Sequence, residues 1–268
     1  MDYEFIDVHA HLDMNRFQED LEDVINNARK SSVLIVSSGI NSSANRKVLE
    51  LSKMYENVFA SFGIYPIDGI IKQFPNLKDD GPREILPLDI DLELDWIFEH
   101  KNDCLFIGEV GLDFKVIKVN EEIKNAQKEN FEKIIQLANK IDKPLLIHSR
   151  GAELECIELL EKYSCKKVIM HCFNGKKSLI KRIIDNGWFL TVPAVITRLE
   201  HFKMLVNIVP LNQLLTETDS PYLSPVAMTR NEPKNVLITI EEIAKIKNLS
   251  FGEVKENIFN NAKKLLSF

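Results

Sequence analysis

The stretch FIDVHAHLD, residues 5–13, sets His9 and His11 two apart at the end of an apolar run, in a chain with 6 histidines among 268 residues. Alternate residues of a strand point to one side, so both imidazoles face one way, and Asp7 with them. Imidazoles at that spacing bind a single divalent ion. Incidental polar residues at a strand end produce the same pattern, so the pair alone decides little. Other apolar runs end similarly. Glu109 closes CLFIGE, His148 closes KPLLIH, His171 closes KKVIMH, and Asp219 closes LLTETD with Glu217 two residues before it. Four imidazoles and two carboxylates, divided over two ions, make a binuclear hydrolytic centre for Zn²⁺, Mn²⁺ or Mg²⁺. His100 and His201 fall within helix candidates and are read as solvated surface residues.

Such a centre needs elements that bring these residues together. Short β-branched runs alternate with longer amphipathic runs along the whole chain. Strands are predicted at Phe5–Leu12, from Val33, from Val58, at CLFIGEVGLD, KPLLIHSR, KKVIMHCF, GWFLTVPA and LNQLLTETD. Helices are predicted over about residues 19–31, 43–55, 91–101, 121–141, 152–163, 177–186 and 200–209, and two more after Val236. Eight β-then-α units imply parallel strands and an α/β fold, a (β/α)₈ TIM barrel, with a doubly wound open sheet as the competing architecture. In the barrel the C-terminal ends of the strands converge on one face, and His9, His11, Glu109, His148, His171 and Asp219 each sit at such an end.

No linker or low-complexity segment divides the chain, so residues 1–268 are read as one domain. The irregular segment from Pro66 to about Ile90 carries four prolines and reads as a long βα loop, either a lid over the site or a plain surface excursion. Cys104, Cys156, Cys165 and Cys172 form no CxxC pair and are read as reduced thiols. The first residues lack a basic stretch followed by an apolar one, and no apolar run approaches a membrane span, so a cytoplasmic protein is expected. A net charge of −6 counts against a broad basic surface for duplex nucleic acid. It leaves open a nucleic acid substrate met by bound metal ions.

The motifs DVHAHLD, GEVGLDF, QKENF, IHSR, MHCFNG, LTETDSPYLSP and RNEP together resemble the TatD family of metal-dependent deoxyribonucleases, in the amidohydrolase superfamily, from residue 7 to the C-terminus. The resemblance implies that His9 and His11 hold a first metal with Asp219. Glu109 bridges two divalent ions, and His148 and His171 complete the second site. Asp219 also accepts a proton from water, and Glu109 and Asp219 are the catalytic carboxylates. Arg150 is the candidate contact to a substrate phosphate, with a rim salt bridge as the plain alternative. Asn174 and Gly175 would shape a loop near substrate, while Arg230 and Asn231 would brace the loop after the eighth strand. Two positions depart from the family: Tyr65 stands where histidine is usual and Gly151 where aspartate is usual.

The implied activity is hydrolysis of DNA phosphodiesters, as a nuclease working from the 3′ end, with nucleic acid ends as partner. Hydrolysis of a small amide, ester or lactone on the same barrel is the alternative, since fold does not settle substrate. A non-enzymatic binding barrel is the third reading. A nuclease needs cationic or aromatic groups around the metals, and Lys115, Arg150, Phe173, Lys176 and Arg198 are the candidates.

Overall fold

Eight short runs of aliphatic and β-branched residues form strands, and the amphipathic runs between them form helices. A computed structural model describes residues 3–77, 85 and 87–268. The order is β1 (Phe5–Ala10), α1 (Leu21–Lys30), β2 (Val33–Ser38), α2 (Ser42–Met54), β3 (Val58–Ile64), α3 (Ile90–Glu99), β4 (Cys104–Gly111), α4 (Glu121–Lys140), β5 (Leu145–His148), α5 (Glu153–Lys162), β6 (Val168–Met170), α6 (Lys177–Asp185), β7 (Phe189–Pro193), α7 (Glu200–Ile208), β8 (Leu214–Glu217), α8 (Val236–Lys247) and α9 (Phe251–Leu266). Helix starts are set by side chains that accept otherwise unpaired backbone N–H groups: Asn41 from Ala44, Asp89 from Leu92, Asn120 from Ile123. Ser250 and Glu253 form a capping box at α9.

The strands lie in sequence order in one sheet, each parallel to the next. This is the (β/α)₈ barrel, and the open doubly wound sheet is excluded. The ring closes between β8 and β1 with little regular ladder. Ala10 bridges Ser220, His11 N donates to Ser220 O at 2.8 Å, and Asp219 N donates to His9 O at 2.8 Å. Thr216 Oγ1 donates to Ile6 O at 2.6 Å.

Strand faces sort into two apolar clusters by the two-residue period. Ile6, Val8, Leu34, Val36, Phe106, Leu146, Ile169 and Leu215 pack together with Ala262, Leu265 and Leu266 of α9. Phe5, Val33, Ile35 and their equivalents pack against the helices, including Val24, Ile25, Val48 and Leu51. In the segment after β3, Ile67 and Ile70 are buried against Tyr65, Ile117 and Ile123, and Asn130 Nδ2 donates to Gly69 O at 2.7 Å. The rest of the expected long loop, residues 78–84 and 86, lies outside the described residues. All four cysteines are free thiols. Among the described residues, no helix is long and apolar enough to cross a membrane.

Candidate metal centre

The ends of β1, β4, β5, β6 and β8 carry the six ionisable side chains, and all six meet at one mouth of the barrel. The β1–β2 register breaks between Asp7 and Ala10, so Val8 packs in the interior cluster while His9, next along, reaches the mouth. His9 Nδ1 bonds Ser38 Oγ at 2.9 Å, and His11 Nδ1 donates to the Ser38 carbonyl oxygen at 3.1 Å. Both rings therefore present Nε2 inward. These two nitrogens stand 3.4 and 3.3 Å from Asp219 Oδ1, and each stands 3.6 Å from Glu109 Oε2. The other oxygen of Glu109 faces the other two rings. Glu109 Oε1 is 2.5 Å from His148 Nδ1 and 3.7 Å from His171 Nε2.

Acceptors behind the second pair fix its rings. His148 Nε2 bonds Asp113 Oδ2 at 2.8 Å, and Tyr65 OH donates to the same oxygen at 2.7 Å. Asp113 Oδ1 accepts from Lys115 N and Val116 N, both at 2.8 Å. His171 Nδ1 bonds Glu217 Oε2 at 2.7 Å, while Glu217 Oε1 accepts from Cys172 N at 3.1 Å. Hydrogen-bonded acceptors behind ligating imidazoles are usual at metal sites, because they fix the ring and its tautomer.

Donor chemistry and spacing both suit divalent ions. Two atoms held at about 2.1 Å by one tetrahedral ion stand about 3.4 Å apart, close to most of the separations above. His9 with His11 and Asp219, and His9 with Glu109 and His171, form two groups able to hold an ion. His9 Nε2 is buried and makes no hydrogen bond, a costly arrangement for a ring nitrogen that has no other ligand. The His148–Glu109 contact at 2.5 Å is a direct hydrogen bond, shorter than two ligands on one ion would stand.

Charge in the cluster is strongly coupled. Burial opposes protonation of His11, His148 and His171, but neighbouring carboxylates outweigh it. Asp219 and Glu109 push His11 up to about 9, Glu109 and Asp113 push His148 up to about 9, and Glu217 and Glu109 push His171 up to about 10. Burial and the nearby His171 lower His9. Burial works against ionising Glu109 and Asp219, yet the surrounding imidazoles hold both below the usual carboxylate range. Without an ion, protons on the histidines neutralise the carboxylates.

A cavity of about 460 Å³ opens onto the cluster, and His11, Glu109, His148, His171 and Asp219 line it. Arg150 lines it too, and its guanidinium makes no rim salt bridge among the described residues. Asn174 is at the wall, while Gly175 packs on Phe173, whose ring is fully buried and not available to substrate. Arg198 donates to Ser224 O at 2.9 Å and braces a loop. Lys115 and Lys176 are exposed but do not line the cavity. Gly151 has φ +70°, and a Cβ there would meet Lys115 Cγ at 2.7 Å, so the lysine stem occupies the space that a side chain at this position would take.

Three expectations change. Asp7 does not join the site, because its carboxylate accepts from Thr218 N at 2.8 Å across the β1–β8 seam and from His9 N at 3.2 Å within its own strand. His100 stacks on Trp96 with centroids 4.1 Å apart, and His201 bonds Phe173 O at 2.9 Å, so neither is simply solvated. Arg230 and Asn231 do brace the loop after β8: Arg230 pairs with Asp20, and Asn231 Nδ2 donates to Thr218 O at 2.8 Å. Ser38 and Asp113, which hold His9 and His148, are not singled out by sequence spacing. Asp113 had a signal, its place in GEVGLDF, but Ser38 had none.

A histidine–carboxylate cluster at the C-terminal ends of barrel strands has the place of an active site and the donors for metal-assisted hydrolysis, as expected of a metal-dependent hydrolase. Within that class the chain belongs to the TatD family: the model described as "TatD related DNase" matches residues 6–267. A protein of Methanocaldococcus jannaschii named an uncharacterized metal-dependent hydrolase is 35% identical over 268 residues, covering 98% of this chain and 97% of that protein. The human deoxyribonuclease TATDN3 is 35% identical over 263 residues, covering 97% and 93%. The crystal structure of a TatD homologue from Escherichia coli superposes with a TM-score of 0.83 at 22% identity and full coverage of both chains.

Proposed function

We propose that the protein is a metal-dependent hydrolase of DNA phosphodiesters, removing nucleotides from a strand's 3′ end with two divalent ions. The observation that carries this reading is the two-sided placement of Glu109, one oxygen towards His9 and His11 and the other towards His148 and His171. In this reading His9, His11 and Asp219 would hold one ion, His148 and His171 would hold the other, and Glu109 would serve both. The names of the relatives as deoxyribonucleases and metal-dependent hydrolases support it.

Ions held there would supply Lewis acidity to a phosphoryl oxygen and a lowered pKa to water. The chain supplies the remaining functions. Ser38, Asp113 and Glu217 hold the rings so that one nitrogen of each faces inward. Asp219, already anionic, accepts the proton released as water attacks. Arg150 at the wall offers a planar pair of donors to a phosphate. A concave site on an acidic chain suits a frayed or single-stranded end better than the middle of a duplex. The reading takes residues 1–268 as one domain acting in the cytoplasm.

The test is digestion of end-labelled single- and double-stranded oligonucleotides with Mg²⁺, Mn²⁺ or Zn²⁺, beside a circular duplex. Mononucleotides lost from labelled 3′ ends are the expected products. Internal cuts in the circle as fast as end loss rule out the exonuclease mode. Cleavage of a small amide or lactone but of no oligonucleotide replaces the reading altogether.

A further inference from the structure

Most of the described arginines have oxygen partners. Of the seven described, Arg29 pairs with Glu56, Arg46 with Glu93, Arg182 with Glu161 and Arg230 with Asp20, and Arg198 bonds the Ser224 carbonyl. Arg16 and Arg150 are the two whose guanidiniums make no hydrogen bond or ion pair among the described residues, and both are exposed. Arg150 follows β5 and Arg16 follows β1. Three strands lie between β1 and β5 on either side of the ring of eight, so the two arginines flank the mouth from opposite sides.

Arg16 is outside the cavity but fixed at its lip. Its guanidinium carbon stands 5.4 Å over the ring of Tyr222, which lines the cavity, as does Met14 two residues before it. Its carbonyl accepts from Arg230 Nη1 at 2.7 Å, and that guanidinium is clamped to Asp20. The backbone is therefore held while the charged end stays open to solvent. On a chain of net charge −6, two unpaired guanidiniums across one mouth match phosphates better than any other common ligand group.

We propose that Arg16 binds the phosphodiester one nucleotide away from the one being cleaved, while Arg150 contacts the scissile phosphate. Tyr222 supports the guanidinium plane and offers its ring edge to the intervening nucleotide. The inference rests on the phosphodiesterase reading and narrows it: the preferred substrate is a strand with at least two consecutive phosphates.

The experiment compares wild type, Arg16→Ala and Arg16→Lys, loaded with the same divalent ion, on three substrates. These are bis(4-nitrophenyl) phosphate, a 3′-end-labelled single-stranded oligonucleotide, and the same strand with one neutral methylphosphonate a nucleotide inward from the scissile phosphate. Arg16→Ala is expected to leave the single-phosphate diester unaffected. It should raise KM on the oligonucleotide about tenfold with kcat nearly unchanged, the scale of one charge-assisted hydrogen-bonded contact. The dependence of log(kcat/KM) on log salt should flatten by about 0.7. Lysine should restore part of the loss. The methylphosphonate should cost wild type a similar factor and cost Arg16→Ala nothing more. Unchanged oligonucleotide KM, or equal losses on the diester and the oligonucleotide, overturns the role of Arg16 while the phosphodiesterase reading stands. Wild type that cleaves no oligonucleotide overturns both.

Discussion

Glu109 is the residue on which the two halves of the site depend. Glu109→Gln keeps its shape and removes the charge that would offset two cations. Turnover is expected to fall by about two orders of magnitude, the scale of a lost transition-state electrostatic contact. Near-normal turnover with the same ion would show that Glu109 bridges nothing. Tyr65 acts one step further out. Its hydroxyl and His148 Nε2 share Asp113 Oδ2, so Tyr65 helps to hold the carboxylate that in turn orients the ring. This gives the tyrosine a role behind a candidate ligand rather than as one. Tyr65→Phe should weaken divalent-ion affinity about tenfold, the usual cost of losing an outer hydrogen bond at a metal site. Calorimetry of ion binding to the chelated protein checks it directly, without recourse to activity. An unchanged affinity would leave Tyr65 with packing alone.

Elements were legible where physics acts locally. The predicted helix ends at Ser31, Tyr55, Ile141, Tyr163, Asn186 and Val209 are each the residue that caps the helix, one past its last full member. The cap still donates its N–H into the last turn, so the amphipathic pattern runs through it. Strand predictions overran in the same direction, to Leu12 and Asp219, because the chain stays extended beyond the last ladder pair. That overrun carries the site: His11, His171 and Asp219 all lie just past a strand. The six ionisable residues were readable because a barrel makes strand ends converge whatever their separation in sequence. The orienting roles are not legible in spacing, even for Glu217 at its strand end, since Ser38, Asp113 and Glu217 reach histidines 29, 35 and 46 residues away. Asp7 was misplaced for a related reason, as strict alternation ignores the break in register at the seam. There its carboxylate takes over from the missing ladder. Asp7→Ala would leave Thr218 N and His9 N buried without acceptors and should cost about 3 kcal/mol. Asp7→Asn keeps an acceptor oxygen and should cost under about 1 kcal/mol. Denaturant titration of the two variants separates a seam clamp from a dispensable acid, since equal midpoints would dismiss the clamp.

At the scale of the molecule, the centre couples stability to pH and to metal. His11, His148 and His171 have folded values of about 9 to 10, above the ordinary 6.5, because carboxylates surround them. A raised histidine stabilises the fold fully below its unfolded value and loses that contribution as pH rises through the folded one. Glu109 and Asp219 are lowered, so their contribution is present above about pH 4.5 and lost on acidification. The chelated protein should thus lose stability from about pH 6.5 up to about 10, as proton after proton leaves a buried cluster of carboxylates. A divalent ion held among these histidines would replace those protons, so its binding would release them and strengthen as pH rises through the same window. The gain in Tm on adding a saturating divalent ion should therefore grow steadily from pH 6 to pH 9, measured by calorimetric scans of chelated and reloaded protein in matched buffers. Proton uptake by buffers of different ionisation enthalpy should report release on loading at pH 7.5. A thermal gain that is flat or falls across that range, or loading without proton release, would mean that the ion sits elsewhere than among these histidines.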